Sequence, residues 1–257
     1  MKVDINPILI DLGLIKVSWY GMMYVLGFVA SYLLVRYQMK KKDFAISRSE
    51  VDDLYFYLIL GLMIGARLGY VFFYDFKMYL SDPLEIFAVW HGGMSFHGGL
   101  IGLLIVGVYF STKHKKSFWR ISDLIIVTAP IGLGLGRIGN FINGELYGRV
   151  TEVPWGMIFP RGGPLPRHPS QLYESILEGW VLFTILWLVK DKKLPEGGLL
   201  ALFLSLYGLF RFFVEYLREP DPQLGFILGP FTMGQVLCSM MIVGGIGLFL
   251  YLKKGEA

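Results

Sequence analysis

Only one cysteine, Cys238, occurs in the 257 residues, so no intrachain disulfide and no cysteine metal cluster can form. The four histidines (His91, His97, His114 and His168) lack HExxH-type spacing, which argues against a zinc site. Charged residues make up 17% of the chain, against about 25% in soluble domains. No serine or cysteine stands in an elbow-type nucleophile motif, which disfavours an acyl-enzyme mechanism. Repeats of 20–50 residues and low-complexity tracts are also missing. The net charge of +4 comes from short basic clusters between apolar runs, not from one solvated face, so nucleic acid is not an expected partner. Asp4 and Asp11 come early and the strong basic cluster follows the first apolar run, a pattern unlike that of a cleavable signal peptide.

What the chain does contain is apolar surface. It is 54% hydrophobic and 16% aromatic, with a mean hydropathy of +0.55. Spanning helices of about 20 residues each would use up most of the chain and leave no room for a soluble domain. The expected fold is an all-α polytopic integral membrane protein, a single transmembrane domain over residues 1–257. Its seven helices are expected at 17–36, 54–74, 93–111, 121–138, 172–189, 198–217 and 229–252. Residues 84–90 (LEIFAVW) are too short to span and are expected in the interface. The Pro- and Gly-rich outer loop 149–170 is expected to be irregular and mobile. More than half of the Lys and Arg fall in 36–48, 113–120, 190–193 and 253–254, all on one side if seven spans alternate. The positive-inside rule makes that side the cytoplasm, with the N-terminus outside and the C-terminus inside.

Glycines recur every fourth residue at Gly61, Gly65 and Gly69, at Gly98 and Gly102, and at Gly132 and Gly136. Small residues at this spacing let helix backbones approach closely, and packing is the preferred reading for all of them. Cys238, on the last span, is expected to be lipid-facing or packed.

An ionisable group inside a span costs about 2.5–3.5 kcal/mol, so each needs a partner, a wet cavity or a function. In the seven-span topology most of them gather at the outer level. These are Tyr20, Arg67, His97, Arg137, Asn140, Asn143, Glu145, Glu174, Glu178, Arg211 and Glu215. Asp123 lies at the inner end, where a helix-start role explains it. Plainer readings stand beside the functional one. Arg211 and Glu215 are spaced to neutralise each other across one helical turn, His97 could be a packing residue, and Tyr20 could belong to an aromatic belt. Gly134, Gly136 and Gly139 match GxGxxG literally, but they end an apolar run and do not follow a strand, so they are not a nucleotide loop.

Arginines with asparagines and glycine N–H groups at headgroup depth suit a phosphate, because the guanidinium fork pairs with two oxygens. A phospholipid entering sideways would present its headgroup there. His97 has the chemistry of an acid or base near neutral pH, and Glu145 could orient a base or hydroxyl. With no nucleophile of its own, such a site needs a second reactant that brings one.

MSFHGG (94–99) and GRIGNFINGELYGR (136–149), together with SWYGMMYVLGF (18–28), RHPSQLYE (167–174) and RFFVEYLREPD (211–221), resemble the signatures of bacterial prolipoprotein diacylglyceryl transferases. The resemblance implies seven transmembrane helices in the bacterial cytoplasmic (inner) membrane, with the active site toward the outer, periplasmic side. It implies transfer of a diacylglyceryl group from phosphatidylglycerol to the lipobox cysteine thiol of a preprolipoprotein. A thioether forms, glycerol phosphate leaves, and no metal, nucleotide or other cofactor takes part. His97 takes the family's essential histidine position and Arg137 its lipid-binding arginine. Asn140, Glu145 and Gly148 match the same motif, Tyr20 the tyrosine of the first span, and Arg211, Glu215 and Arg218 the second charged cluster. A transporter or channel would instead place polar groups along the full bilayer depth. Another lipid enzyme would release free diacylglycerol or form an oxygen ester.

Overall fold

Helix dominates the computed structural model, which describes residues 1–13, 16–41, 46–219, 226–229 and 231–255. Two short antiparallel strands, β1 (Ile8–Asp11) and β2 (Lys16–Ser18), lead into α1 (Trp19–Lys41). There follow α2 (Arg48–Phe73), α3 (Phe76–Ser81), 3-10 turns at Pro83–Phe87 and Val89–His91, and α4 (Phe96–His114). Next come α5 (Phe118–Ile126), α6 (Ala129–Ile142) and α7 (Ser170–Glu174), which runs through a π-helical stretch (Ser175–Val181) into α8 (Leu182–Val189). The chain closes with α9 (Gly198–Val214), the pair β3 (Phe226–Leu228) and β4 (Phe231–Thr232), and α10 (Met233–Gly255). Pro220 and Asp221, which end one of the family-like motifs, lie outside the described residues.

Among the described residues, four helical segments are long and apolar enough to cross a membrane: Arg48–Phe73, Phe96–His114, Ser170–Val189 and Met233–Gly255. The count is five if the bent pair α5–α6 is one span, and α9 is a shorter apolar helix. The chain is therefore a helical, multi-pass membrane protein. α1 has spanning length, but its tyrosines and Arg36 dilute its apolar character.

Residues 38–122 form one compact unit, and residues 1–37 with 123–257 form another. In the first, α2 and α4 make an antiparallel hairpin. A capping box starts α2: Ser47 Oγ accepts the Glu50 N–H at 3.2 Å, and Glu50 Oε2 accepts the Ser47 N–H at 2.6 Å. This places the helix start at Arg48, earlier than the hydrophobic pattern suggests. The expected glycine packing is present here. A Cβ at Gly69 would stand 2.7 Å from Gly98 Cα, and one at Gly65 would stand 2.9 Å from Gly102 Cα. At the far end of the hairpin, His114 Nδ1 meets Glu50 Oε1 at 3.2 Å while its ring stacks on Phe110.

Arg67 corrects the sequence reading. Backbone carbonyls of its own unit engage its guanidinium, an arrangement that accounts for a buried arginine in an apolar helix. Nε donates to Ile86 O at 2.9 Å, Nη1 to Gly92 O and Gly93 O, and Nη2 to Glu85 O and Ala88 O. The segment around 84–90 is thus two 3-10 turns wrapped over a buried cation.

In the second unit, the expected span 121–138 is two helices bent by 46°. Pro130 in the first turn of α6 has no N–H to continue the ladder, and Thr128 turns tightly onto Ile125 O through both its N–H and its hydroxyl. α1 packs beside this bend: Ser31 Oγ and Thr128 Oγ1 are 2.7 Å apart and buried. Gly132 faces Gly27 with its backbone, yet a Cβ on Gly132 or Gly136 would meet nothing, so that pair is not the packing seam expected. The seam of α6 runs through Gly134, against Gly179 and Ser175, and through Gly139, against Tyr20. Asp123 also has a different role from the one expected. It lies inside α5 and caps a later helix, accepting the N–H groups of Gly197 and Leu200 at the start of α9. Val127, Leu182, Leu186 and Leu199 form the apolar core beside it. Cys238 is packed, its carbonyl lying close beside Gly208.

Candidate active site

Where α6 ends, the chain must turn sharply, and polar side chains tie that turn down. Gly144 and Leu146 both take left-handed conformations, with φ of 63° and 57°. The Glu145 carboxylate folds back over the helix end. Its Oε1 accepts Asn140 Nδ2 at 2.9 Å and Asn143 Nδ2 at 3.1 Å. Two side chains of α7 hold the backbone of the same turn: Gln171 Nε2 donates to Glu145 O at 2.6 Å and Ser170 Oγ to Leu146 O at 3.0 Å. One turn back along α6, Arg137 places Nη1 3.5 Å from Asn140 Oδ1. The Tyr20 ring lies against Gly139, and its hydroxyl pairs with Tyr24 at 3.1 Å.

Arg137 points toward a buried carboxylate. Its Nε is 2.6 Å from Glu174 Oε2, while Glu174 Oε1 is 2.8 Å from Arg211 Nη1. Arg211 also contacts Glu215 Oε2 through Nη2 at 2.6 Å and lies 3.9 Å from Glu178 Oε1. Glu178 in turn hydrogen-bonds Tyr207. Glu215 Oε1 accepts Thr232 Oγ1 at 3.0 Å, and Thr232 pairs with Gln235 to start α10. Two arginines and three glutamates from α6, α7, the π-helical stretch and α9 therefore form one network. Glu174 is fully buried, and Glu178, Glu215 and Arg211 are buried. Such charges are tolerated away from water only when paired, and the removal of one partner typically costs about 3–5 kcal/mol.

Arg218 follows α9, and burial, then the nearby Arg211, hold its guanidinium below the usual arginine range. Its backbone bridges Gly148. At Gly148 a Cβ would stand 2.6 Å from the His168 Cβ and 2.7 Å from its carbonyl, so glycine is required there by close approach. The loop 149–170 is irregular, as expected, but its backbone is paired: Met157 and Arg167 exchange hydrogen bonds, and Val3 N–H donates to Ile158 O. Arg167 stacks on Tyr147 and reaches Glu219 at 2.9 Å.

Among the residues singled out from sequence, Arg137, Asn140, Glu145, Gly148, Tyr20, Arg211, Glu215 and Arg218 all stand in the second unit, linked as described. His97 stands in the first, exposed in the opening turn of α4, which Ser95 caps by accepting the Gly98 N–H at 3.2 Å. The sequence groups Glu174 and Glu178 with the other polar residues but gives them no part. The available signal was two acidic residues four apart on an otherwise apolar segment.

The family model described as prolipoprotein diacylglyceryl transferase matches residues 7–251. A phosphatidylglycerol–prolipoprotein diacylglyceryl transferase of Desulfotalea psychrophila is 55% identical over 253 residues, covering 96% of this chain and 93% of that protein. Proteins of the same name from Geobacter sulfurreducens and Pseudomonas paraeruginosa are 52% and 49% identical, covering 97% and 99% of this chain and 96% of each relative. The chain belongs to the prolipoprotein diacylglyceryl transferase family.

Proposed function

We propose that this chain transfers the diacylglyceryl group of phosphatidylglycerol to the cysteine thiol in the lipobox of a preprolipoprotein. The thiol sulfur attacks the glyceryl carbon bonded to the phosphate oxygen. The C–S bond forms, the C–O bond breaks, the thiol proton leaves, and glycerol phosphate departs with the bonding electron pair.

The observation that carries this reading is the state of the Arg137 guanidinium. Its Nε is engaged by Glu174, whereas, among the described residues, its terminal nitrogens have only the 3.5 Å approach to Asn140. A cation with open donors at the end of an apolar helix is suited to a lipid phosphate, and it stabilises the charge that grows on the leaving group. Arg211 supports the same charge from within the network, and Arg218, Asn140, Gly148 and Glu215 complete the lipid-binding surround. A free thiol has a pKa near 8.5 and needs a base or a nearby cation to react at neutral pH. His97 takes that part, with Tyr20 and Glu145 ordering the reactants. In this reading seven helices span the bacterial inner membrane, the N-terminus lies outside, and the site opens to the outer leaflet. Residues 1–257 act as one transmembrane domain.

Purified protein incubated with phosphatidylglycerol and a lipobox peptide is expected to release glycerol phosphate and form a base-stable thioether. Free diacylglycerol or a base-labile ester as the product would overturn the reading.

A further inference from the structure

We propose that Glu174 is a positioning residue for this reaction: it grips Arg137 by Nε and so turns the terminal nitrogens toward the lipid phosphate. The inference rests on the reading of Arg137 given above. A carboxylate can pair with arginine through the two-pronged fork or through one nitrogen. Glu174 contacts Arg137 at Nε, 2.6 Å from Oε2, and uses its other oxygen on Arg211 Nη1, 2.8 Å away. Arg211 is committed to carboxylates through both terminal nitrogens, Nη1 to Glu174 and toward Glu178 and Nη2 to Glu215, and its side chain is only 10% exposed. Among the described residues, Arg137 is the one of the two whose terminal nitrogens meet no carboxylate, and these face a second anion.

Glu174 is itself firmly placed. The residues around it in the chain are tied to the α6 end by Gln171 on Glu145 O, Ser170 on Leu146 O and Ser175 Oγ on Gly134 O at 3.0 Å. Stability alone is a poor explanation for such a bridge, since buried ion pairs often do no better than apolar groups of the same volume. A fixed orientation of a long, four-torsion side chain is something an apolar replacement would not supply.

The test compares full-length wild type, Glu174→Asp and Glu174→Gln in lipid nanodiscs, with phosphatidylglycerol and a cysteine peptide. Glu174→Asp keeps the charge but is one methylene too short to bridge both arginines. It is expected to fold with a lowered unfolding temperature and to keep the KM for the lipid, while kcat per folded molecule falls about tenfold to a hundredfold. Glu174→Gln is expected to lose about a hundredfold in kcat with an unchanged or lower lipid KM, because a competing negative charge has gone. In an Arg137→Lys background the Glu174→Gln loss should shrink, since the two changes remove the same arrangement. Wild-type kcat in Glu174→Asp would overturn the proposal, even if Glu174→Gln fails to fold. So would a loss seen only in KM or only in the amount of folded protein. A wild-type enzyme that forms no thioether would instead overturn the functional reading on which the proposal stands.

Discussion

Asp123 and Gly197 are 74 residues apart in the chain, yet the Asp123 carboxylate accepts the Gly197 N–H at 2.8 Å and, through its other oxygen, the Leu200 N–H at 3.0 Å. One side chain in α5 thus caps the first turn of α9, where Pro195 and the left-handed Gly197 bring the chain in. Asp123→Ala removes both acceptors. It should lower stability by about 1–2 kcal/mol, read as a drop in unfolding temperature in detergent, with kcat per folded molecule unchanged.

Gly98 offers a second test. A side chain there would meet the Gly65 backbone and stand 2.8 Å from Gly69 Cα, so Gly98→Leu must push α2 and α4 apart. A loss of about 1–3 kcal/mol is expected, measured as a lower thermal midpoint. Gly136→Ala, where nothing stands in the way, should leave the midpoint within about 0.5 kcal/mol of wild type.

Arg137→Ala should abolish transfer and weaken phosphatidylglycerol binding more than it disturbs membrane insertion. It also leaves the fully buried Glu174 with Arg211 as its one remaining arginine, so a stability loss of up to about 3–5 kcal/mol should accompany it. Arg137→Lys keeps the charge without the fork and should retain insertion while losing most transfer. Wild-type transfer rates in Arg137→Ala would refute the phosphate assignment.

His97→Gln keeps a polar group of similar reach at the start of α4 and removes the imidazole proposed as the base. Thioether formation should fall at least a hundredfold at pH 7. Near-normal transfer would end its role as the base.

His168 lies in the loop 149–170, with Nδ1 3.2 Å from the Tyr173 hydroxyl. Partial burial lowers its pKa below the ordinary 6.5. The unfolded chain therefore takes up the proton first as pH falls. The stabilisation from a neutral His168 is fully present above pH 6.5 and is lost on acidification through the lower folded value. Resistance of the loop to protease should decline in that direction, and His168→Gln should flatten the dependence.

Hydrophobic runs made the helices legible, because a spanning segment needs length and apolar content whatever it packs against. Glycines four apart announced the α2–α4 seam for the same local reason. The bend at Thr128 was harder to read: Pro130 was visible, but an uninterrupted apolar pattern masked its effect on the backbone. For the charged network, the Arg211–Glu215 pairing follows from a four-residue spacing on one helix. The reach of Glu174 to both Arg137 and Arg211 depends on three separate segments meeting, which no local pattern encodes.

The ring of carbonyls around Arg67 also sets an order of events during synthesis. When Arg67 leaves the ribosome, its acceptors at Glu85 and Gly93 are still 18 and 26 residues behind it in the exit tunnel. Until they emerge, the guanidinium donors in this apolar segment have only water to bond. The cost of inserting α2 therefore falls once the crown of Glu85, Ile86, Ala88, Gly92 and Gly93 has followed it out. The hairpin that then enters the bilayer carries its cation already solvated by its own backbone.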